Sequence, residues 1–472
     1  MRRNDENIKY LAGTEEIKVR PLAPFDADVC EFLDVLSKEI LRDAKLKTYT
    51  DVVSFAFWIR KGNIQKQKES YMEKNGSFCL IGKGLAFHIA PSNVPINFAY
   101  SFVFGLLAGN SNIVRVSSKN FPQVTLLCRK IQEVMNRAEY ASIRKSNAIV
   151  MYERKKEITD AFSSMCDVRV IWGGDNTINE IRKSPMKPRG KEIVFADRYS
   201  FGIICPDAIL SMSDKEQKQL AEQFYNDTYL MDQNACSAPH FIFWKSEEKE
   251  KVRKAQEIFW GNVYEAAKKY DLADSKVSDK YTDLCLYAAG VEASMREEDT
   301  KRKAEETIGA KEDTEWKTEE AIGTRAEKCI EENAKEYIET KPEECIESEL
   351  ESCTETNSKN DLERKAAKVR RYENLLYVVE LENVPETIID LRGRFGMFYE
   401  CQIKELEEIK NCITEKVQTV ATTGVEKQEI WNFIMEHHLM GIDRVVPFGS
   451  TLDIGLIWDG YDLIMDMSRV LN

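Results

Sequence analysis

The sequence predicts an α/β protein organised around parallel sheet, and three observations carry that expectation. Short apolar runs recur along the chain, as in Ile113-Val114-Arg115-Val116, Asn147-Ala148-Ile149-Val150-Met151-Tyr152 and Asp167-Val168-Arg169-Val170-Ile171-Trp172. Segments with helical spacing lie between them, and strands alternating with helices imply a parallel sheet covered on both faces. The chain has 472 residues and is 43% hydrophobic, enough for two or three domains with substantial cores.

Residues 25–75 read as helical, with apolar residues at helical spacing in Phe32-Leu33-Val35-Leu36-Ile40-Leu41. Gly82 to Pro91 reads as one apolar strand ended by proline, and Gly82-Lys83-Gly84 stands at its start rather than after a strand, so it is no phosphate-binding turn. An apolar stretch from Phe98 to Leu107 follows, closed by Gly109-Asn110. Pro91, Asn93, Pro95 and Asn97 argue against a membrane span here, because they would break a helix and bury polar groups in lipid. Pro122 to Ala138 reads as a helix with proline in its first turn. Further on, Asn374 to Leu381 reads as a strand, and the apolar tail from Asp453 to Ile464 is expected to pack on the core or on another subunit.

Residues 291–370 differ from the rest. They hold 24 Asp and Glu against 15 Lys and Arg, so about −9 of the chain's net charge of −13 sits there. Their low apolar content predicts a disordered or loosely helical acidic insertion. Cys329, Cys345 and Cys353 within it show no metal-ligand spacing, and the adjacent His437-His438 pair forms no metal site. The acidic balance argues against nucleic-acid binding. The first residues lack an apolar leader, and the 12 cysteines form no C-x-x-C framework. A cytoplasmic protein with reduced thiols is expected.

The chemistry-bearing segments are Pro91-Ser92-Asn93-Val94-Pro95, Gly109 to Ser118, and Gln233-Asn234-Ala235-Cys236-Ser237-Ala238-Pro239. A cysteine among small residues suits a nucleophile, because a carbonyl can approach it and a backbone N–H can receive an oxyanion. In order and spacing the three segments resemble the P-W-N-F-P, G-N-T-V-V-L-K-P-S-E and G-Q-x-C-x-x-P motifs of the aldehyde dehydrogenase superfamily. Arg392-Gly393-Arg394-Phe395-Gly396 and the tail from Arg444 to Asp462 are most similar to the LuxC-type acyl-CoA reductase family.

That resemblance implies an aldehyde-dehydrogenase-like fold, with a Rossmann-type cofactor domain over 1–228 and a catalytic domain over 229–443. The insertion would interrupt the latter, and a C-terminal segment would occupy 444–472. It implies reduction of a long-chain fatty acyl thioester, acyl-CoA or acyl-protein, to the aldehyde. Cys236 would carry the acyl group and Asn93 would help hold the oxyanion. Arg115 corresponds to a lysine that contacts the adenosine ribose. Ser117 and Ser118, with Lys119 next, leave that site free of acid, which suits the 2′-phosphate of NADPH. Gly173 and Gly174 correspond to a turn near the pyrophosphate. An acyl-protein synthetase partner and a homo-oligomer are implied as well. The E-L-G-G motif of acid-forming relatives is absent from Glu192 to Tyr199, which favours a thioester reductase over an acid-forming dehydrogenase; Asp197 could stand in for the missing base, but that is not the preferred reading. His240 could be proposed as a base for Cys236, but no motif requires it there and a structural role is preferred. Two other readings share these motifs: a CoA-acylating enzyme for short acyl groups, and an inactive scaffold.

Overall fold

The computed structural model describes residues 7–287 and 367–471. The expected insertion therefore lies outside the described residues, except at its end, where 367–370 belong to a strand. That is a correction: charges along Lys368-Val369-Arg370-Arg371 hid an edge strand, whose polar side chains are tolerated because one side of it is unpaired.

The strands, in chain order, begin with β1 (Lys9–Gly13), β2 (Cys79–Gly82), β3 (Leu85–Ile89), β4 (Ser111–Val116), β5 (Asn147–Met151), β6 (Val168–Trp172) and β7 (Lys191–Phe195). They continue with β8 (Tyr199–Ile204), β9 (Pro239–Lys245), β10 (Ala367–Tyr372), β11 (Leu376–Leu381), β12 (Met397–Ile403), β13 (Val417–Thr423) and β14 (Arg444–Pro447). The last three are β15 (Ile457–Trp458), β16 (Tyr461–Asp462) and β17 (Ser468–Leu471).

Among the described residues the first sheet runs β1-β5-β4-β3-β6-β7, with β3 to β7 parallel and β1 antiparallel at one edge. The order grows from β3 through β4 to β5 on one side, then returns to place β6 and β7 on the other. The switch therefore lies between β3 and β6, where open α/β sheets form a crevice beyond the strands' carboxyl ends. Alternation along β3 divides the cores. Ala86 joins a cluster with the helices at Ala27–Arg42 and Asn97–Leu107, while Leu85, Phe87 and Ile89 face those at Lys156–Met165 and Asp175–Arg182. The expected strand from Gly82 begins only at Leu85, because Gly84 at φ 141° turns the chain between β2 and β3. Helix Asn97–Leu107 is apolar all round because it is buried all round.

The second sheet runs β10-β11-β12-β9-β8-β13-β14, parallel except for β10. Helix Lys427–His437 covers one face, and helices Asp214–Thr228 and Lys249–Ala267 cover the other. The chain passes from the first sheet to the second between Phe195 and Tyr199, upstream of the division expected at 228. Tyr199–Ile204 is buried throughout and reads equally well as a strand of either sheet. Near the C-terminus, Leu463, Ile464 and Met467 are buried in the first sheet's core, and β17 pairs with β2.

Candidate active site

The amino ends of β8, β9 and β12 meet the loop that leaves β3. Asn93, four residues beyond Ile89, and Cys236, three residues before β9, line one cavity of about 550 Å³ together with Asp197, His240, Arg392 and Tyr399. Residues 143 apart in the chain, 93 and 236, are thus brought together by the two sheets.

Backbone strain and hydrogen bonds shape the cysteine loop. Asp232 and Gln233 both adopt the left-handed region, at φ 53° and 58°, which turns the chain sharply after helix Asp214–Thr228 and a short helical turn. Buried Gln233 holds this turn: its Nε2 donates to the Met397 carbonyl (3.0 Å), and its Oε1 accepts from the Gly396 N–H (2.7 Å). Ser200 Oγ donates to the Cys236 carbonyl (2.7 Å) and accepts from the Thr419 N–H (3.2 Å). The loop is therefore tied to β8, β12 and β13 at once.

The Cys236 thiol is half-buried. Burial is the largest influence and raises its pKa; Asp197 and Asp459 act in the same sense, while a hydrogen bond from the Arg198 backbone N–H and the Arg392 guanidinium act against it. Arg392 fixes this neighbourhood. Its Nη1 donates to Asp197 Oδ1 (2.8 Å), its Nη2 to the Arg198 carbonyl (3.2 Å) and its Nε to the Ile389 carbonyl (3.2 Å). Arg198 turns away, donating to Asp459 (2.8 Å), Asp443 (2.6 Å) and the Val417 carbonyl (2.8 Å). Arg394 pairs with both oxygens of Asp283, at 2.7 and 2.8 Å.

His240 is fully buried beside Tyr199, its Nδ1 3.0 Å from the Gly393 carbonyl. A carbonyl can only accept, so Nδ1 carries the proton. Burial, helped by Arg392, pushes its pKa down to about 4.

The other sequence-identified residues lie at the carboxyl edge of the first sheet, outside the cavity's lining. Arg115 on β4 stacks over the Tyr152 ring (4.8 Å to the ring centre), and its buried Nε has no hydrogen-bond partner among the described residues. Ser117 and Ser118 follow directly, with Ser118 and Lys119 exposed. Gly173 and Gly174 join β6 to helix Asp175–Arg182. A Cβ on Gly174 would meet nothing within 4 Å, so the protein itself leaves open space there. On Gly173 it would press on Thr177 at 3.2 Å.

Sequence reasoning missed Ser200, Arg198 and Asp283, which carry no local motif. For Arg392 a signal existed in the run Arg392-Gly393-Arg394-Phe395-Gly396, though no role was legible.

The family model for acyl-CoA reductase (LuxC) matches residues 62–300, just over half the chain and inclusive of Asn93, Arg115, Gly173 and Cys236. The chain belongs to that family. Solved structures set the LuxC chain within a wider fold. Aldehyde dehydrogenase 21 from Physcomitrella patens, in complex with succinate, matches at 11% identity and a TM-score of 0.53, covering 94% of this chain and 85% of that one. The NADP-dependent glyceraldehyde-3-phosphate dehydrogenase from Bacillus halodurans C-125, complexed with NADP, matches at 12% identity and a TM-score of 0.50, with 94% and 85% covered. A proline utilization A mutant from Bradyrhizobium japonicum matches at 11% identity and 0.51, covering 94% of this chain and 42% of its own. No curated protein matches. The fold is aldehyde-dehydrogenase-like, and family and fold together make the chain an oxidoreductase of the aldehyde and acyl class. Among the described residues no helix is long and apolar enough to cross a membrane.

Proposed function

We propose that this chain reduces a long-chain acyl thioester to the fatty aldehyde through an acyl group held on Cys236. The observation that carries the reading is the convergence of Asn93 and Cys236 on one cavity from separate sheets. In this reading the Cys236 thiolate attacks the thioester carbonyl and the donor thiol leaves. The Asn93 amide and the Cys236 N–H hold the oxyanion, a role whose removal typically costs about 10²–10³ in rate. After reduction of the acyl carbonyl the tetrahedral adduct collapses, the C–S electrons return to Sγ, and the aldehyde departs. Ser200 and Gln233 keep the thiol in place throughout.

The first sheet's edge fits a nicotinamide dinucleotide, since Arg115 Nε is buried with unspent donor capacity and Gly174 faces open space. Arg115, Ser117 and Ser118 would hold the adenosine ribose, and Gly173 and Gly174 would lie against the pyrophosphate. When bound, the nicotinamide supplies hydride. With Lys119 exposed beside Ser118 and no acid among Arg115 to Lys119, NADPH is the preferred form. An acyl-protein synthetase is the proposed partner, in the cytoplasm, and the chain is proposed to work as a homo-oligomer.

The test is NADPH oxidation with tetradecanoyl-CoA, comparing wild type with Cys236→Ala. Aldehyde formation that vanishes in the variant is expected. A wild type silent with every acyl-CoA and both nicotinamides would overturn the reading.

A further inference from the structure

Resting on the acyl-Cys236 reading, we propose that Arg392 determines the fate of the acyl group: it restrains Asp197, a carboxylate placed to direct water at the thioester, and so keeps this enzyme from releasing free acid.

Two carboxylates stand in the segment from Glu192 to Tyr199, and the structure separates them. Glu192 sits near the amino end of β7, bound by Arg169 (3.0 Å from its Nε) and by Arg182 (2.7 Å), at the far end of the strand from the cavity. Asp197 lies beyond the carboxyl end of β7 and lines the cavity with Cys236, close enough for its charge to act on the thiol. Its side chain is 48% exposed, so water reaches it. A carboxylate in that position can take a proton from water as the water oxygen bonds to the acyl carbon. The C–S bond then breaks, the proton passes to Sγ, and a carboxylic acid leaves with Cys236 regenerated. No oxidant or reductant enters this balance.

What opposes that route is the ion pair. Arg392 Nη1 occupies Asp197 Oδ1 at 2.8 Å, and the same guanidinium donates to the carbonyls of Ile389 and Arg198. Three anchors fix its plane, so Oδ1 of the carboxylate is held by a partner that is itself immobile. A guanidinium takes up lone pairs of the oxygen it binds, so Oδ1 is not free to draw a proton from water. Arg392 is thus a positioning residue that sets specificity between aldehyde and acid. Two other acids line the cavity: Asp283 is held by both donors of Arg394, and Asp390 lies two residues before Arg392, so Asp197→Asn in the Arg392→Gln background is what assigns the base to Asp197.

The experiment separates acylation from deacylation. Enzyme is incubated with radiolabelled tetradecanoyl-CoA without nicotinamide, and label on Cys236 and free tetradecanoic acid are followed together. Arg392→Gln should release acid at least about tenfold faster per acylated cysteine than wild type, within the range a directed base supplies. Asp197→Asn in that background should return release to the wild-type rate. The pH dependence of release from Arg392→Gln should follow ionisation of a single carboxyl, which a merely loosened fold would not produce. Arg392→Lys keeps the cation but cannot bridge Asp197 and the Arg198 carbonyl together; it should release acid a fewfold faster and decides the matter if the glutamine variant does not fold. Acylated variants that deacylate at the wild-type rate, or a double variant that stays fast, would overturn the proposal. A wild type that takes no label on Cys236 would overturn the functional reading, and this inference with it.

Discussion

The two sheet edges that face each other are built in opposite ways. The carboxyl edge of the first sheet is open: Asn93, Ser118 and Gly174 are exposed, and Arg115 keeps a donor unspent. The amino edge of the second is closed, with Gln233, Ser200 and Arg392 each making two or more bonds that fix the ground around Cys236. The difference follows from what each edge is proposed to do. A nucleotide that binds and leaves needs unspent hydrogen-bonding capacity, whereas a nucleophile gains from being held near its reactive geometry before substrate arrives.

That contrast can be broken most sharply at the thiol. Cys236→Ala should lower reduction by about 10⁴-fold or more, since no other cysteine among the described residues lines the cavity, while leaving the denaturant midpoint nearly unchanged. Asn93→Ala should cost about 10²–10³ in kcat with little effect on stability, because the residue is exposed and its contribution arises with the oxyanion. Equal losses of activity and stability would place Asn93 among the structural residues instead.

A pH experiment probes the closed edge against the core of the open one. His240 and His88 are both fully buried, and burial pushes each from 6.5 down to about 4. His88 lies within the first sheet, its Nδ1 2.8 Å from Ser101 Oγ and its Nε2 3.0 Å from Asn112 Oδ1. An amide oxygen can only accept, so Nε2 carries the proton and the Ser101 hydroxyl donates to Nδ1. Both rings are neutral when folded and bind a proton more readily when unfolded, so stability falls as pH drops from 6.5 towards 4. Each contributes up to about 3 kcal/mol of that loss. Asp227, pushed up to about 6 by burial, acts in the opposite sense, so the measurement is the difference between wild type and His240→Gln in urea midpoints across this range. A difference that does not shrink towards pH 4 would contradict the buried neutral ring.

Smaller effects follow. Gln233→Ala leaves the Met397 carbonyl and the Gly396 N–H without their partner, at a cost of about 1–3 kcal/mol in stability. It should also lower kcat rather than raise KM for the cofactor. Ser118→Glu should do the reverse, raising KM for NADPH about tenfold and sparing kcat. Should both variants change the same parameter, the division of labour between the edges would fail.

Much of the first sheet was legible because β3, β5 and β6 are short runs of apolar residues bounded by turns, the mark of strands buried on both faces. The second sheet was harder. Central β12 carries Glu400, which looks like an exposed residue in sequence. It is fully buried, and its carboxylate accepts from the indoles of Trp244 and Trp260 (2.7 Å each) and from Gln256 (3.1 Å). Cys236, Asn93 and Arg115 could be singled out because local motifs surround them. The Arg392–Asp197 pair spans 195 positions, and no local pattern announces a partner that distant.

The clamp on the cysteine loop also sets a timetable. Ser200 and Gln233, which hold Cys236, reach to Thr419 and to Gly396 and Met397. Arg198, whose N–H meets the thiol, is anchored to Val417, Asp443 and Asp459. Every one of those anchors leaves the ribosome after the cysteine does. A nascent chain that has emitted Cys236 but none of these anchors therefore carries the thiol without its supports, which come into place one after another as residues 396 to 459 emerge.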